Sequence, residues 1–319
     1  MRRTRAASLP HRGAGWQRYD FVVSPRRSRI VIALGAFGVL AAPVLPLGCG
    51  SCEAPAGFRT SRDTSTGAGA EAEAGDAGHE GSVATATADA ALGGELPPLR
   101  STGRLVSLAV PGFADAVVSV PVGARRARPV MIAVHGNYDS PDFQCGQWRS
   151  MVGDRGFILC PRGVARSDSP GPDDIRYTYE GKFAAELDAA IAALRERFGA
   201  HVDPGPMSYI AFSLGAILAR GYVMRAPSRF DRLILIEGGG SGWDARALSK
   251  AGMTHMLWAC GQAPCADTAR VSAAAFERAS IPSKVVYAKG AGHTYGGPVA
   301  ELIRAEWEWL VTGDPRWAP

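Results

Sequence analysis

From about Gly103 onward, short apolar runs alternate with longer amphipathic stretches. Arg104–Val110 and Ala116–Val122 read as two strands joined by Pro-Gly-Phe-Ala-Asp, which predicts a hairpin. Pro129–Val134 is a continuous apolar run ending at His135-Gly136-Asn137, and Gly156–Cys160 is another ending at Pro161-Arg162-Gly163. Within Lys182–Phe198, Phe183, Leu187, Ile191, Leu194 and Phe198 recur at helical spacing. Met207–Phe212 reads as a strand, followed by a helix from about Leu214 to Arg225. Arg232–Ile236, His255–Ala259 and Lys284–Ala288 are three more strands, with Val271–Ala279 helical between the last two. Val299–Leu310 closes the series as a helix. Continuously apolar strands are buried on both faces, and helices between them provide the crossovers. The pattern therefore predicts an α/β fold with a mostly parallel sheet.

Upstream the pattern differs. Residues 53–102 hold Ala, Gly, Thr, Asp and Glu with almost no large apolar side chain. Such a segment buries too little surface to offset its ordering entropy and reads as a flexible tether. That leaves residues 103–319 as one domain of ordinary size. Before the tether, residues 1–52 read as a leader. Arg26, Arg27 and Arg29 precede an apolar run from Ile30 to Leu47, interrupted by Gly and Pro, as in a secretory signal rather than a spanning helix. Leu47-Gly48-Cys49 resembles a bacterial lipobox, with Pro46 where Leu is usual, so Cys49 is the candidate lipidation site. The arginine pair faintly resembles a twin-arginine signal. Residues 1–21 lie far upstream of the apolar run, which points to a translation start near Val22 or Val23. The expected location is outside the cytoplasm, as a cell-envelope lipoprotein or a secreted or periplasmic protein.

Charge adds little to this picture. The formal net charge is +5, but residues 1–29 alone hold eight Arg against the single acid Asp20, so the remainder is slightly acidic. A leader carries the basic excess, which removes any argument for nucleic acid as a partner. Contact with a membrane is expected only through a lipid on Cys49. Cysteine usage agrees with export. Of six cysteines, Cys145, Cys160, Cys260 and Cys265 fall in the domain, and four allow three pairings. The short separation of Cys260 from Cys265 suggests a local loop closure, leaving Cys145 with Cys160. A four-cysteine metal site is disfavoured because paired C-x2-C knuckles are missing; no metal or organic cofactor is expected.

The chemistry centres on Ala211-Phe212-Ser213-Leu214-Gly215, where a strand must turn sharply into a helix. Small residues on either side of Ser213 let the turn close and push its hydroxyl out above the sheet edge. The following helix aims free N–H groups at the same place. A serine nucleophile needs a base, and functional groups of an open parallel sheet gather beyond the carboxyl ends of its strands. His201 precedes a strand and His255 opens one, so both belong to the opposite edge. His135 follows a strand, but its Gly-Asn neighbours suggest use of the backbone. His293 follows the last strand in Gly290-Ala291-Gly292-His293-Thr294-Tyr295, a loop able to reach Ser213, and is the expected base. For the acid two candidates stay open. Glu237 stands at the carboxyl end of Arg232–Ile236; Asp267 follows His255–Ala259, displaced from the strand end by the Cys260–Cys265 loop, which favours Glu237. The loop at His135-Gly136-Asn137-Tyr138 can offer a backbone N–H to an oxyanion, that of Asn137 or alternatively of Tyr138, alongside that of Leu214.

The order of His135-Gly136-Asn137, Ala211-Phe212-Ser213-Leu214-Gly215 and Gly292-His293 resembles the α/β-hydrolase superfamily. Within it the chain is similar to the esterase, polyhydroxybutyrate-depolymerase and dienelactone-hydrolase-like group, over about residues 104–311. The resemblance implies an eight-stranded sheet flanked by helices, and hydrolysis of an ester or amide, in a small molecule or a polymer, through an acyl-enzyme. Two departures stand out: Ala211 opens the motif where Gly is usual, and Gly261-Gln262-Ala263-Pro264 replaces the usual Gly-x-x-Asp. The short connection between the sixth and seventh strands predicts little or no cap. Two other readings compete. A non-catalytic binding protein on the same fold would leave His293 far from Ser213. A metallophosphoesterase, suggested by His135-Gly136-Asn137 with Asp139, lacks the companion metal-binding motifs.

Overall fold

The computed structural model describes residues 95–319; the expected leader, Cys49 and most of the tether lie outside the described residues. The described residues form ten strands and seven helices. The strands are β1 (Leu105–Leu108), β2 (Ala116–Ser119), β3 (Val130–Val134), β4 (Phe157–Cys160), β5 (Val164–Ala165), β6 (Tyr177–Thr178), β7 (Met207–Phe212), β8 (Phe230–Ile236), β9 (His255–Cys260) and β10 (Ser283–Tyr287). The helices are α1 (Pro141–Val152), α2 (Phe183–Phe198), α3 (Leu214–Val223), α4 (Ala245–Lys250), α5 (Ala263–Arg278), α6 (Gly297–Ala305) and α7 (Trp307–Val311). Strands and helices alternate from β3 onward, apart from the β4–β5–β6 run and the closing α6–α7 pair.

Eight strands form one sheet in the order β1-β2-β4-β3-β7-β8-β9-β10. The β1–β2 and β2–β4 pairs are antiparallel and every later pair is parallel. β3, β4, β7 and β8 are buried along their whole length, as strands covered on both faces must be. Alternate residues feed two cores. Tyr209 and Ala211 of β7 pack with residues of α2, α3 and α5, whereas Ile210 and Phe212 pack with residues of α1, α6 and α7. Strand order reverses between β3 and β7, since β4 lies beyond β3 on one side and β8 beyond β7 on the other. The chain leaves both strands at their carboxyl ends there, which opens a crevice.

Several boundaries differ from the sequence expectation. The domain's packed chain reaches back into the expected tether: Leu99 is buried, and the N–H groups of Leu96 and Leu99 donate to the carbonyls of Arg125 and Ala124. The helix expected at Val271–Ala279 starts at Ala263, because Pro264 occupies its first turn, where proline is tolerated. Asp267 thus sits within α5. The closing helix is two pieces, α6 and α7, meeting at Glu306. α1 had no sequence expectation; Ser140 caps it by accepting from the Asp142 N–H, and Pro141 begins it. Both expected disulfides form. Cys145–Cys160 ties α1 to β4 (Cα–Cα 6.0 Å), and Cys260–Cys265 closes the β9–α5 turn (Cα–Cα 5.6 Å).

Candidate active site

Ser213 occupies the turn between β7 and α3 with φ +51°, a left-handed conformation that costs a non-glycine residue free energy. Among the described residues the other non-glycine residues with positive φ are Tyr138, Glu237 and Ser280. Three of the four therefore belong to loops at the carboxyl ends of β3, β7 and β8. The Ser213 turn is held from below by the Ser213 N–H donating to the Ile236 carbonyl at 2.9 Å. Gly215 must be glycine for a packing reason. A Cβ there would lie 2.7 Å from the His135 carbonyl oxygen and from Val134 Cγ1, so only glycine lets α3 start this close to β3.

His293 Nε2 lies 2.8 Å from Ser213 Oγ, and Nδ1 lies 3.3 Å from Glu237 Oε2. In the tautomer with the proton on Nδ1, the ring donates to Glu237 and accepts from the Ser213 hydroxyl. The ring leans on Phe212, with centroids 4.9 Å apart. Its side chain is 47% exposed, whereas that of Glu237 is 1% exposed. The buried carboxylate is satisfied elsewhere too: Oε1 accepts from the backbone N–H groups of Gly261 and Gln262.

Of the two candidate acids, only Glu237 reaches the imidazole. Asp267 is exposed on α5 and pairs with Arg270 one turn along, at 2.7 Å. At the other side of Ser213, Leu214 is the first residue of α3, so its N–H lies ahead of the helix ladder, whose first bond is Ile217 N–H to Ser213 O. Among the described residues the Asn137 N–H has no acceptor. The Tyr138 N–H is already committed to the Tyr177 carbonyl at 2.9 Å, which leaves Asn137 as the free donor of that loop. The Asn137 side chain accepts from Arg166 at 2.9 Å.

Among the described residues, His201 and His255 sit where strand direction predicts. His201 bonds the Pro97 carbonyl, and His255 stacks edge-on to Trp309. His135 is fully buried, stacked on Tyr179, and its ring bonds the carbonyls of Gly136 and Arg162. Burial pushes its pKa down, while the contacts to the two carbonyls act in the opposite direction.

Sequence reasoning missed a second buried carboxylate. Asp139 accepts from the Ser140 N–H (2.8 Å) and from the Tyr295 hydroxyl (3.1 Å), which ties the Asn137 loop to the His293 loop. Tyr295 also packs edge-on against Phe212. The available signal was its place two residues after His293. A recess of about 280 Å³ adjoins His293 and Glu237, lined by Gly238, Gly240, Trp258, Pro264 and Thr268. Among the described residues the chain between β8 and β9 carries only the short α4, too small to form a cap domain over the site. Of the aromatic residues that could line a pocket, Trp148 is buried with its N–H on Gln144, Trp243 bonds the Gly239 carbonyl, and Tyr138 stands exposed beside Arg166.

No family model matches the chain, and no curated protein matches it. Among solved structures the chain is similar to esterase PE8, at 16% identity and TM-score 0.47, over 64% of this chain and 100% of that one. It is similar to the Pyrobaculum calidifontis esterase at 14% identity and TM-score 0.46, over 65% of this chain and 84% of that one. A ferulic acid esterase is similar at 14% identity and TM-score 0.46, over 67% of this chain and 97% of that one. Identities and TM-scores this low add nothing to what the strand order establishes. The sheet order β1-β2-β4-β3-β7-β8-β9-β10, with its antiparallel second strand and its strand-turn-helix at Ser213, is the α/β-hydrolase fold.

Proposed function

We propose that the protein is an exported serine hydrolase of carboxylesterase type. The observation that carries this reading is the chain of contacts from Ser213 Oγ through His293 to the buried Glu237. In the proposed reaction His293 Nε2 takes the Ser213 proton as Oγ attacks an ester carbonyl. The Asn137 and Leu214 N–H groups receive the developing oxyanion. The proton then passes from His293 to the leaving alcohol, which departs and leaves an acyl-enzyme. Water, activated by the same imidazole, releases the acid and restores Ser213. Glu237 holds the ring in the productive tautomer and stabilises its protonated form. No metal or organic cofactor enters any step.

The open site and the small recess beside His293 favour an ester with one short substituent, free to be a monomer or a chain end. Two disulfides suit an oxidising compartment, in line with the export signal read from residues 1–52. Among the described residues no helix is long and apolar enough to cross a membrane.

The test is turnover of p-nitrophenyl esters of increasing acyl length by the wild-type protein and by Ser213→Ala. The expected outcome is hydrolysis that falls off with acyl length and is lost in the variant. Equal hydrolysis by both proteins, or by neither across ester and anilide panels, overturns the reading and returns the fold to a binding role.

A further inference from the structure

We propose that the Cys260–Cys265 disulfide is a positioning device for the catalytic pair, holding acid and base in register from one small loop. This inference rests on the serine-hydrolase reading and deepens it.

The acid's position makes such a device necessary. Glu237 follows β8 in a bend with φ +51°, and the donors to its side chain come from outside that bend. What fixes it is the next loop along the sheet. Oε1 accepts the N–H groups of Gly261 and Gln262, and both residues lie between Cys260 and Cys265. A carboxylate oxygen of Glu237 and both sulfurs lie within 4.8 Å of one another. The same loop also reaches the base: the Cys260 carbonyl accepts from Ala288 at 2.8 Å, and the Gly261 carbonyl accepts from Gly292, the residue before His293, at 3.3 Å. A Cβ on Gly261 would collide with the Gly292 carbonyl, so the two loops are in backbone contact. One closed loop of a few residues thus orients the Glu237 carboxylate and carries the neighbour of His293.

Without the bridge, the first turn of α5 is free to swing away from β9. The two donors on Glu237 and the contact to Gly292 would then loosen together, and misplacement by about 1 Å is worth about 100-fold in rate. The other disulfide, Cys145–Cys160, joins α1 to β4 and touches neither residue, which makes it the control.

The experiment compares wild type, Cys260→Ala/Cys265→Ala and Cys145→Ala/Cys160→Ala by thermal melting, by kcat and KM on a short p-nitrophenyl ester, and by the pH profile of kcat. The expected result for Cys260→Ala/Cys265→Ala, assayed well below its melting temperature, is a kcat lowered about tenfold or more with KM within about twofold, and a changed pH profile. Cys145→Ala/Cys160→Ala should melt earlier yet keep kcat and the profile. A folded Cys260→Ala/Cys265→Ala protein with wild-type kcat and profile overturns the inference.

Native protein supplies a second measurement if that variant does not fold. Cys265 is partly exposed, whereas Cys145 and Cys160 are fully buried, so a dithiol reagent reaches the Cys260 pair first. Dithiothreitol opens that bond to two thiols and closes to its own cyclic disulfide. The kcat should fall in step with thiols mapped at Cys260 and Cys265 and return on reoxidation; activity independent of those thiols overturns the inference. A wild-type protein with no Ser213-dependent turnover defeats the hydrolase reading instead, so the two failures are distinct.

Discussion

Ser213, His293 and Glu237 differ in how far their roles can be seen in the chain. Ser213 sits in a local motif whose small neighbours, Ala211 and Gly215, are themselves required by the turn. His293 follows from strand direction, and the other domain histidines do lie where that rule sends them. The sequence admits both Glu237 and Asp267 as the acid, and contact with the ring separates them. Glu237→Ala should lower kcat/KM by on the order of 1,000-fold or more, and Asp267→Ala should leave it close to wild type. Equal losses in both would contradict the assignment. What no sequence pattern could show is how Glu237 is held, because its donors are backbone N–H groups and any residue supplies one. Asp139 was visible only as a possible metal ligand; its bond to Tyr295 depends on two loops 156 residues apart.

The elements best read from the pattern were those with a single strong periodicity. The apolar strands and the Phe183–Phe198 helix follow from it directly. α1 escaped because its inward face includes Gln144, which breaks the apolar stripe; only Ser140-Pro141 marks its start. The hairpin strands β5 and β6 have two residues each, too short for any alternation to register. The apolar pattern marks β8 only from Arg232, yet the strand begins at Phe230 and buries both Asp231 and Arg232. That placement is tolerable because Arg232 pairs with Asp231 and Asp314. α2 carries a buried carboxyl whose partners only partly offset its burial. Glu186 is buried and accepts the Gly163 N–H at 2.7 Å, and desolvation raises its pKa despite that bond. A carboxyl whose folded pKa is raised favours the native state while protonated. That contribution is complete below the ordinary glutamate range and is lost as pH rises through the folded value. Glu186→Gln should therefore raise the melting temperature by a few degrees at neutral pH, with the gain vanishing in mild acid. A gain of equal size at both pH values would contradict the sign.

For the whole molecule, the mostly parallel sheet follows from the succession of buried strands and helices. The expectation of eight strands came from the resemblance, and the sheet has eight. The start of the packed domain was set too late because Leu96 and Leu99 are isolated apolar residues in polar surroundings; they dock by backbone bonds to Arg125 and Ala124. The crevice at the β3/β7 reversal brings together loops from four strands: β3 supplies Asn137, β7 Ser213, β8 Glu237 and β10 His293. The fold thus gathers the Ser213 hydroxyl, the His293 imidazole, the Glu237 carboxylate and the N–H groups of Asn137 and Leu214 at a single edge. The most direct test is to treat the native protein with a fluorophosphonate, digest it and map the adduct by mass spectrometry. A single adduct on Ser213 is expected, absent from His293→Ala at the same exposure time. No adduct, or an adduct on another residue, would contradict it.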